Sequence, residues 1–165
     1  YNGTAMIGVL SDTHDNLTRV REAVRLFNEA NCDLVVHAGD FVAPFAVDAL
    51  RDLLAPVKAV FGNCDGEKPG LIRAFKGVGE IGPAPLTFGH AGRRFLVCHL
   101  DSAVERHLAA NSFDIIIFGH THRPLTEIRD GTLLVNPGEA GGWLRGRSTV
   151  ALVDPAALSA EIIDL

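Results

Sequence analysis

Short apolar runs, each about the length of one β-strand, recur along this chain, and in its first half they alternate with helical patterns. Apolar residues at helical spacing predict an amphipathic helix at 17–31. A second, shorter helix is predicted at 45–54, because Pro44 suits the first turn of a helix. The apolar runs themselves predict buried strands at 7–11, 34–38 and 57–61.

The second half of the chain predicts hairpins instead. Asp130-Gly131 separates the runs 125–129 and 132–136, and this dipeptide is a strong hairpin signal. Residues 66–84 are rich in glycine and are predicted to form a loop around a short helix near 71–75. The remaining predicted strands are 86–88, 94–98, 115–118, 148–153 and 160–164. The sequence GHAG is predicted to form the turn between the first two of these strands, and a short helix is predicted at 103–111. Alternation followed by hairpins predicts an α/β fold with a mixed sheet, or two sheets packed face to face with helices outside.

Five of the apolar runs end in residues that can bind a metal ion. The ligand site of an open α/β fold lies beyond the carboxyl ends of its strands, so these side chains are expected to meet at one rim. Alternate residues of an extended segment point the same way, which predicts that each of the pairs 12/14 and 120/122 grips one ion. Gly39 and Gly62 are expected to allow sharp exits from their strands. The candidate ligands are Asp12, His14, Asp40, Asn63, His99, His120 and His122.

The chemistry of these donors predicts the kind of site. Carboxylates, an amide and imidazoles without a thiolate suit a hydrolytic first-row metal better than a structural zinc. Seven donors are too many for one tetrahedral ion, but they suit two ions that share a carboxylate. Two ions about 3.5–4 Å apart form the usual clamp for phosphoester hydrolysis. We therefore expect two divalent ions, with Mn²⁺ first and Ni²⁺, Fe²⁺, Co²⁺ or Zn²⁺ as alternatives.

The ordered motifs D-x-H, GD, GN, H and GH-x-H resemble those of the calcineurin-like metallophosphoesterases. SDTHDN, HAGD, GNCD, GHTH and NPG are most similar to the small stand-alone bacterial and archaeal phosphodiesterase branch, and the resemblance spans residues 6–153. It implies a four-layer α/β/β/α sandwich of two mixed β-sheets flanked by helices. It also implies a phosphodiesterase in which a metal-bridging hydroxide attacks phosphorus.

The resemblance further implies a role for each donor, by position. The first metal would be held by Asp12, His14 and His122 and the second by Asn63, His99 and His120, with Asp40 bridging. Asp40, Asn63 and His99 are the expected catalytic residues.

Several positions depart from the family pattern or have more than one interpretation. Cys64 stands where relatives often have a histidine thought to protonate the leaving group, and a thiol with a pKa near ~8.5 is a weak acid for that step. Aryl esters are therefore expected to react best. Asp101 replaces the second histidine of an HGH motif, and Glu139 replaces a serine. Arg123 is interpreted either as a phosphate ligand or as a surface arginine capping a loop. Cys64 and Arg123 are the candidate substrate-binding residues.

Five other side chains carry simpler expectations. His37 is expected to be a hydrogen-bonded core or rim histidine, and His107 a solvated one. His90 is placed in the hairpin turn, with a smaller chance of reaching the pocket. Cys98 is expected to point away from the metals into the core. Trp143 has three interpretations: a subunit contact, a pocket wall and a loop anchor.

Composition bounds the functional class. The 165 residues predict one domain spanning 1–165, with Met6 as the natural start and residues 1–5 as an added remnant. The net charge of −5 argues against a nucleic-acid polymer as partner, but not against a small phosphodiester, because two dications would add about +4 at the site. Three cysteines without a CxxC pair favour the cytoplasm.

Two further expectations concern partners. No apolar stretch approaches the ~20 residues that a membrane span needs. A homo-oligomer, dimer or tetramer, is compatible with the sequence. The alternatives to a phosphodiesterase are a phosphomonoesterase and a non-catalytic interaction scaffold of the same fold, in which the histidines of D-x-H and GH-x-H should be eroded.

Overall fold

Residues 4–165, which this computed structural model describes, form two β-sheets with helices on their outer faces; residues 1–3 of the expected remnant lie outside that range. The strands are β1 (Ile7–Leu10), β2 (Leu34–His37), β3 (Val57–Val60), β4 (Gly79–Gly82), β5 (Leu86–His90), β6 (Arg93–Val97), β7 (Ile115–Ile117), β8 (Leu125–Arg129), β9 (Thr132–Asn136), β10 (Thr149–Asp154) and β11 (Ser159–Asp164). The α-helices are α1 (Leu17–Glu29), α2 (Lys68–Ala74) and α3 (Val104–Ala109), and 3₁₀ helices cover Pro44–Leu50 and Asp101–Ala103.

Both sheets are mixed. The first has the order β11-β10-β1-β2-β3-β4, in which β1 to β4 are parallel and β10 is antiparallel to both of its neighbours, β1 and β11. The second has the order β5-β6-β7-β9-β8, with β6, β7 and β9 parallel and an antiparallel hairpin partner at each edge. The two mixed sheets flanked by helices confirm the predicted α/β sandwich.

Three apolar clusters fill the spaces between the layers. They are distinct because successive residues of a strand point to opposite faces of its sheet. Val36 packs between the sheets, whereas its neighbour Val35 packs under the helices of the first sheet. The central cluster contains Val9, Val97, Ile115, Ile117 and Val135. The first helical layer contributes Val20, Val24, Phe27, Leu71 and Phe75. On the far side, Val104 and Leu108 of α3 cover Leu96, Ile116 and Leu134.

Helix α1 begins at a cap that also contacts the rim of the sheet. The Asn16 side chain accepts a hydrogen bond from the backbone N–H of Arg19 (3.3 Å), which satisfies one of the free donors in the first turn. Its amide nitrogen donates to the carbonyl of Gly141 (2.8 Å). The start of the helix is thereby tied to the loop before β10.

Three local predictions were wrong in part. The segment 66–84 was predicted as a loop around a helix, but it also contains strand β4, which pairs with β3. A Cβ at Gly79 would collide with the backbone of Val57, so glycine is required there by close strand pairing. The helix predicted at 45–54 is a shorter 3₁₀ helix, and the turn between β5 and β6 is only Ala91-Gly92, because His90 pairs with Arg93 in the hairpin.

The structure also bears on two expectations from composition. Cys32, Cys64 and Cys98 are all free thiols, in agreement with the absence of a disulfide framework. Within residues 4–165, none of the helices has the length and apolar character needed to cross a bilayer.

Candidate metal centre

The loops that follow β1, β2, β3, β6 and β7 converge at one rim of the two sheets. They bring together all seven side chains that the sequence singled out as donors. Five of the seven border a shared cleft, and the buried Asp12 and His99 lie directly behind them. Leu144 and Arg145 of the loop before β10 also border this cleft.

The donor loops adopt a strained backbone. Five of the seven candidate ligands have positive φ angles: Asp12 (53°), His14 (41°), Asp40 (64°), His120 (69°) and His122 (58°). The sequence predicted that the side chains of the pairs 12/14 and 120/122 point the same way because their segments are extended. That reason was wrong, because these four residues are left-handed and not extended. Left-handed conformations cost free energy for residues with a Cβ, and such residues cluster at functional sites. Tight turns, and not extended segments, aim these side chains at the cleft.

Asp12 directs one carboxylate oxygen at two histidines. Its Oδ2 accepts hydrogen bonds from the Ser11 hydroxyl (2.8 Å) and from the backbone N–H of His120 (3.1 Å). Its Oδ1 lies 3.2 Å from Nε2 of His122 and 3.7 Å from Nε2 of His14. These three residues form the first donor set.

Asp40 lies between this set and a second one. Its Oδ2 is 3.6 Å from Nε2 of His14 and 3.4 Å from Nε2 of His99. Its Oδ1 accepts a hydrogen bond from the backbone N–H of Cys64 (2.8 Å), which fixes the carboxylate plane. One oxygen of Asp40 is thus shared between a histidine of each set.

The second donor set surrounds the amide oxygen of Asn63. Oδ1 of Asn63 lies 2.8 Å from Nε2 of His99 and 3.0 Å from Nδ1 of His120. Nδ1 of His99 lies 2.8 Å from the carbonyl oxygen of Ala38, to which it donates. That bond leaves Nε2 of His99 as the ring nitrogen that faces Asn63 and Asp40.

The donor geometry fits metal ions. Oδ1 of Asp12 and Nε2 of His14 are buried and have no hydrogen-bond partner among the described residues. Buried polar atoms without partners are rare in native proteins, and an ion would satisfy both. Ligand atoms about 2.1 Å from a common ion lie roughly 3–3.5 Å apart, which is close to the separations found here.

The charges of the centre also suit cations. Burial raises the pKa of Asp12 and Asp40, but hydrogen bonds and nearby histidines outweigh it, so that both pKa values fall below the ordinary range, to about 2 for Asp40. The Asp12 carboxylate raises the pKa of His14. Burial lowers the pKa of His99, and Asp40 more than offsets that effect. The two carboxylates are therefore ionised at neutral pH.

Two glycines permit the close approach of the loops. A Cβ at Gly39, where φ is +103°, would lie 2.7 Å from the backbone nitrogen of Gly62 and 2.8 Å from Nδ1 of His99. A Cβ at Gly62 would collide with Oδ1 of Asp40. Gly39 thus serves a turn, as predicted, whereas Gly62 is needed for space beside a ligand, because its φ is not positive.

Asp65 positions the loop of Asp40, and the sequence reasoning missed it. Its buried carboxylate accepts four backbone N–H groups, at 2.7–2.9 Å, from Asp40, Phe41, Val42 and Gly62. The only sequence signal for this role was a carboxylate two residues after the GN dipeptide. Nothing in the neighbouring sequence indicates that this carboxylate binds the loop of Asp40. Asp65 holds the second and third donor loops together.

Glu139 and Asn136 support the GHTH loop. Oε2 of Glu139, which is buried, lies 3.3 Å from Nδ1 of His122. The amide nitrogen of Asn136 donates to the carbonyl of Gly119 (2.9 Å) and to the hydroxyl of Thr121 (3.1 Å). The sequence showed Glu139 only as a departure from serine; the structure gives it a contact with a candidate ligand.

The candidate substrate-binding residues lie in different places. Cys64 borders the cleft, and burial together with the Asp40 carboxylate raises the pKa of its thiol to about 11. Arg123 lies in a neighbouring groove with Asp101, outside the residues that border the donor cleft. Arg145 borders both the cleft and that groove. The arginine beside the donors is therefore Arg145, which the sequence reasoning did not single out.

The other singled-out side chains divide into confirmed and corrected expectations. His37 is fully buried and hydrogen-bonded to Thr13 (3.1 Å), as expected of a core histidine. Cys98 packs into the outer apolar cluster, also as expected. The prediction that His107 is solvated was wrong, because its Nε2 is buried against a cavity. His90 lies opposite Asp33 (3.2 Å) and does not border the cleft.

Trp143 is anchored beside the centre, although its side chain is 63% exposed. Its indole N–H donates to the carbonyl of His14 (3.1 Å), and its backbone N–H donates to Glu139 (2.7 Å). Of the three interpretations, the loop anchor agrees with these contacts.

Comparison with known proteins gives consistent matches over nearly the whole chain. The family model of the calcineurin-like phosphoesterase superfamily domain matches residues 6–157. Phosphodiesterase MJ0936 of Methanocaldococcus jannaschii is 36% identical over 152 residues, which cover 90% of this chain and 92% of that protein.

Solved structures give the same result for the fold. The structure of an archaeal phosphodiesterase superposes with a TM-score of 0.92 at 33% identity, covering 97% of this chain and 99% of that one. Vacuolar protein sorting 29 from Cryptosporidium parvum superposes with a TM-score of 0.68 at 16% identity, covering 98% and 96% of the two chains. At 16% identity, the second match bears on the fold alone.

Proposed function

The chain belongs to the calcineurin-like phosphoesterase superfamily and is a phosphoric ester hydrolase, and we propose that it cleaves phosphodiesters at a centre of two divalent metal ions. The observation that carries this proposal is the position of Asp40, whose Oδ2 lies within 3.6 Å of a histidine nitrogen from each donor set. A carboxylate shared in this way is the link that a dinuclear centre requires.

Each donor set would hold one ion. Asp12, His14 and His122 would bind the first; Asn63, His99 and His120 would bind the second; Asp40 would bridge. The donors suit Mn²⁺ and equally Ni²⁺, Fe²⁺, Co²⁺ or Zn²⁺, and we propose Mn²⁺ as the working ion. When bound, two such ions supply a nucleophilic hydroxide and polarise the phosphoryl group.

The remaining groups of the cleft would orient the ester. Arg145 has no carboxylate within 4 Å among the described residues, so its guanidinium is available for a phosphoryl oxygen. The neutral Asn63 limits the negative charge that faces an anionic substrate. Cys64 occupies the position after Asn63 where a histidine would be the usual proton donor, so esters with good leaving groups should react fastest.

The small, acidic chain and its free cysteines support a small phosphodiester as substrate and the cytoplasm as compartment. The scaffold alternative has less support, because the histidine of D-x-H and both histidines of GH-x-H are present and border the cleft.

The test is hydrolysis of bis(p-nitrophenyl) phosphate by metal-stripped protein, first without added metal and then with Mn²⁺, Ni²⁺, Fe²⁺, Co²⁺ or Zn²⁺ added singly. We expect activity that depends on the metal and that falls by at least about 100-fold in His122→Ala, because a ligand of the centre is removed. His90→Ala is the matched control, since His90 lies outside the cleft. A wild-type protein that stays inactive with every one of the five metals would contradict the proposal, and faster cleavage of p-nitrophenyl phosphate would favour a phosphomonoesterase.

A further inference from the structure

The first two donor loops lie side by side along their backbones. The N–H group of Asp12 donates to the carbonyl of Gly39 (2.9 Å), and the N–H group of His14 donates to the carbonyl of Asp40 (3.1 Å). These bonds join the loop of the first donor set to the loop of the carboxylate that both sets share. Thr13 lies between the two ligands of its loop and is buried, with 1% of its surface exposed. Its hydroxyl must therefore find hydrogen-bond partners inside the protein.

His37, the last residue of β2, contacts both loops. Its Nδ1 accepts a hydrogen bond from the backbone N–H of Gly39 (3.1 Å). Burial lowers the pKa of His37 to about 3, so the ring is neutral at pH 7. A neutral imidazole has one donor and one acceptor nitrogen, so the proton lies on Nε2. Nε2 is 3.1 Å from Oγ1 of Thr13 and therefore donates to it.

The Thr13 hydroxyl extends this contact to the second loop. Because its oxygen accepts from His37, its own hydrogen can be donated elsewhere, and the carbonyl oxygen of Asp40 lies 3.4 Å away. The same carbonyl accepts the backbone N–H of His14. His37 thus holds the second loop directly at Gly39 and, through Thr13, at Asp40.

Packing alone does not require a histidine at this position. The ring of His37 is fully buried and stacks on Phe41, with the ring centroids 3.6 Å apart. His37 alternates along β2 with Val35, which belongs to the apolar cluster under the helices. An apolar side chain would fill such a position without the free-energy cost of burying a polar ring. The polar atoms of His37 are instead both used, and both of their partners belong to the donor loops.

We propose that His37 is a positioning residue of the metal centre and that it acts through the hydroxyl of Thr13. This hydrogen-bonded pair holds the loop of Asp12 and His14 against the loop of Asp40. All three ligands are left-handed, and such conformations persist only where surrounding contacts hold them. The inference rests on the proposed two-metal centre and adds to it the groups that keep the shared carboxylate beside the first donor set.

The first test removes and restores the hydroxyl of Thr13. Thr13→Val removes it and keeps the branched shape, whereas Thr13→Ser retains it. Mn²⁺ affinity is measured by isothermal titration of metal-stripped protein whose folding has been checked by circular dichroism. We expect Thr13→Val to bind Mn²⁺ at least about tenfold more weakly than wild type, and Thr13→Ser to stay within about threefold of wild type.

Thr132→Val is the matched control for this test. Thr132 is also buried, at 2% exposure, and its hydroxyl donates to the carbonyl of Phe113 (2.9 Å). It begins β9, whereas the rim contacts of that strand are made by its last residue, Asn136. Equal losses of Mn²⁺ affinity in Thr13→Val and Thr132→Val, or no loss in Thr13→Val, would overturn the proposal.

The second test measures the bridge between the ions and does not depend on turnover. Two Mn²⁺ ions joined by a carboxylate give an exchange-coupled EPR spectrum, which differs from that of an isolated ion. His37→Asn keeps an acceptor for Gly39 but is too short to reach Thr13, whereas His37→Gln places a donor near the position of Nε2. We expect the coupled share of the signal to fall at least about twofold in His37→Asn and to be largely retained in His37→Gln.

The outcomes of the EPR test separate this inference from the proposed function. A wild-type protein without a coupled signal would contradict the two-metal centre itself. A coupled wild-type signal that stays unchanged in His37→Asn, or that falls equally in His37→Asn and His37→Gln, would contradict the role of His37 and leave the two-metal centre standing. If His37→Asn does not fold, Thr13→Val replaces it in the same measurement, because that variant leaves the ring in place.

Discussion

The carboxylate of Glu139 lies behind the imidazole of His122, with Oε2 3.3 Å from Nδ1. The other nitrogen of the same ring lies 3.2 Å from Oδ1 of Asp12 in the first donor set. A carboxylate behind a histidine that ligates a metal helps to orient the ring. Here Glu139 acts on His122 through its charge, because Nδ1 has no hydrogen-bond partner among the described residues. Glu139 also accepts the backbone N–H groups of Trp143 and Leu144, so the loop that carries Arg145 depends on the same group.

Replacement of Glu139 should therefore weaken metal binding without removing a donor. We expect Glu139→Ala to lower the affinity for Mn²⁺ by about 10–100-fold, the usual effect of losing the group behind a ligand. Isothermal titration of metal-stripped protein measures it, with the exposed Glu161→Ala as control. Unchanged affinity in Glu139→Ala would show that the contact with His122 has no role in ligation.

Removal of Asp65 should destabilise the fold as well as the centre. Four backbone N–H groups would lose a charged acceptor, and we expect Asp65→Ala to lower the free energy of unfolding by at least about 3 kcal/mol. Urea denaturation in the presence of a chelator separates this effect from metal binding. Asp52→Ala, at an exposed position whose side chain has no partner among residues 4–165, should change stability by less than about 0.5 kcal/mol. A similar result for both variants would contradict the structural role of Asp65.

Arg145 should matter more for turnover than Arg123. A charge-assisted hydrogen bond to a phosphoryl oxygen predicts a loss of about 10–100-fold in kcat/KM for Arg145→Ala, with partial recovery in Arg145→Lys. Arg123→Ala should have a smaller effect, because Arg123 lies outside the cleft. Steady-state kinetics on bis(p-nitrophenyl) phosphate provide the measurement, and the exposed Arg25→Ala serves as the control. A larger loss in Arg123→Ala would reverse this assignment.

The buried His37 should make stability depend on pH. Burial lowers its pKa from 6.5 to about 3, so the folded state resists a proton that the unfolded chain accepts. The contribution of this group is fully present above pH 6.5 and is lost as the pH falls toward 3, by about 1.4 kcal/mol per pH unit. His37→Gln should remove that part of the slope. Unfolding free energies of metal-free protein at pH 7, 6 and 5 test the difference, and parallel curves for the two proteins would contradict it.

Strand patterns explain why the architecture could be predicted and why one strand could not. Ile115–Ile117 and Leu34–His37 consist mainly of residues that favour buried strands, so local sequence and tertiary structure agree. Gly79–Gly82 has no such preference and becomes a strand only because β3 offers it hydrogen-bonding partners. Its first residue, Gly79, must be glycine because of the nearby backbone of Val57, which is 22 residues away in the chain.

The sequence by itself determined which residues are the candidate ligands, because each follows a buried strand and carries a donor of the right chemistry. It also determined that they meet at one rim, since the carboxyl ends of parallel strands share an edge. Only the tertiary structure decided how they meet. The turns of Asp12 and His122 are left-handed. Asp65 and Glu139 reach the donor loops only because β2 pairs with β3 and β7 pairs with β9, strands that are separated from one another along the chain. The local sequence pattern can identify a metal-binding side chain. The residues that orient that side chain come from segments distant in the chain, so they can be identified only from the tertiary structure.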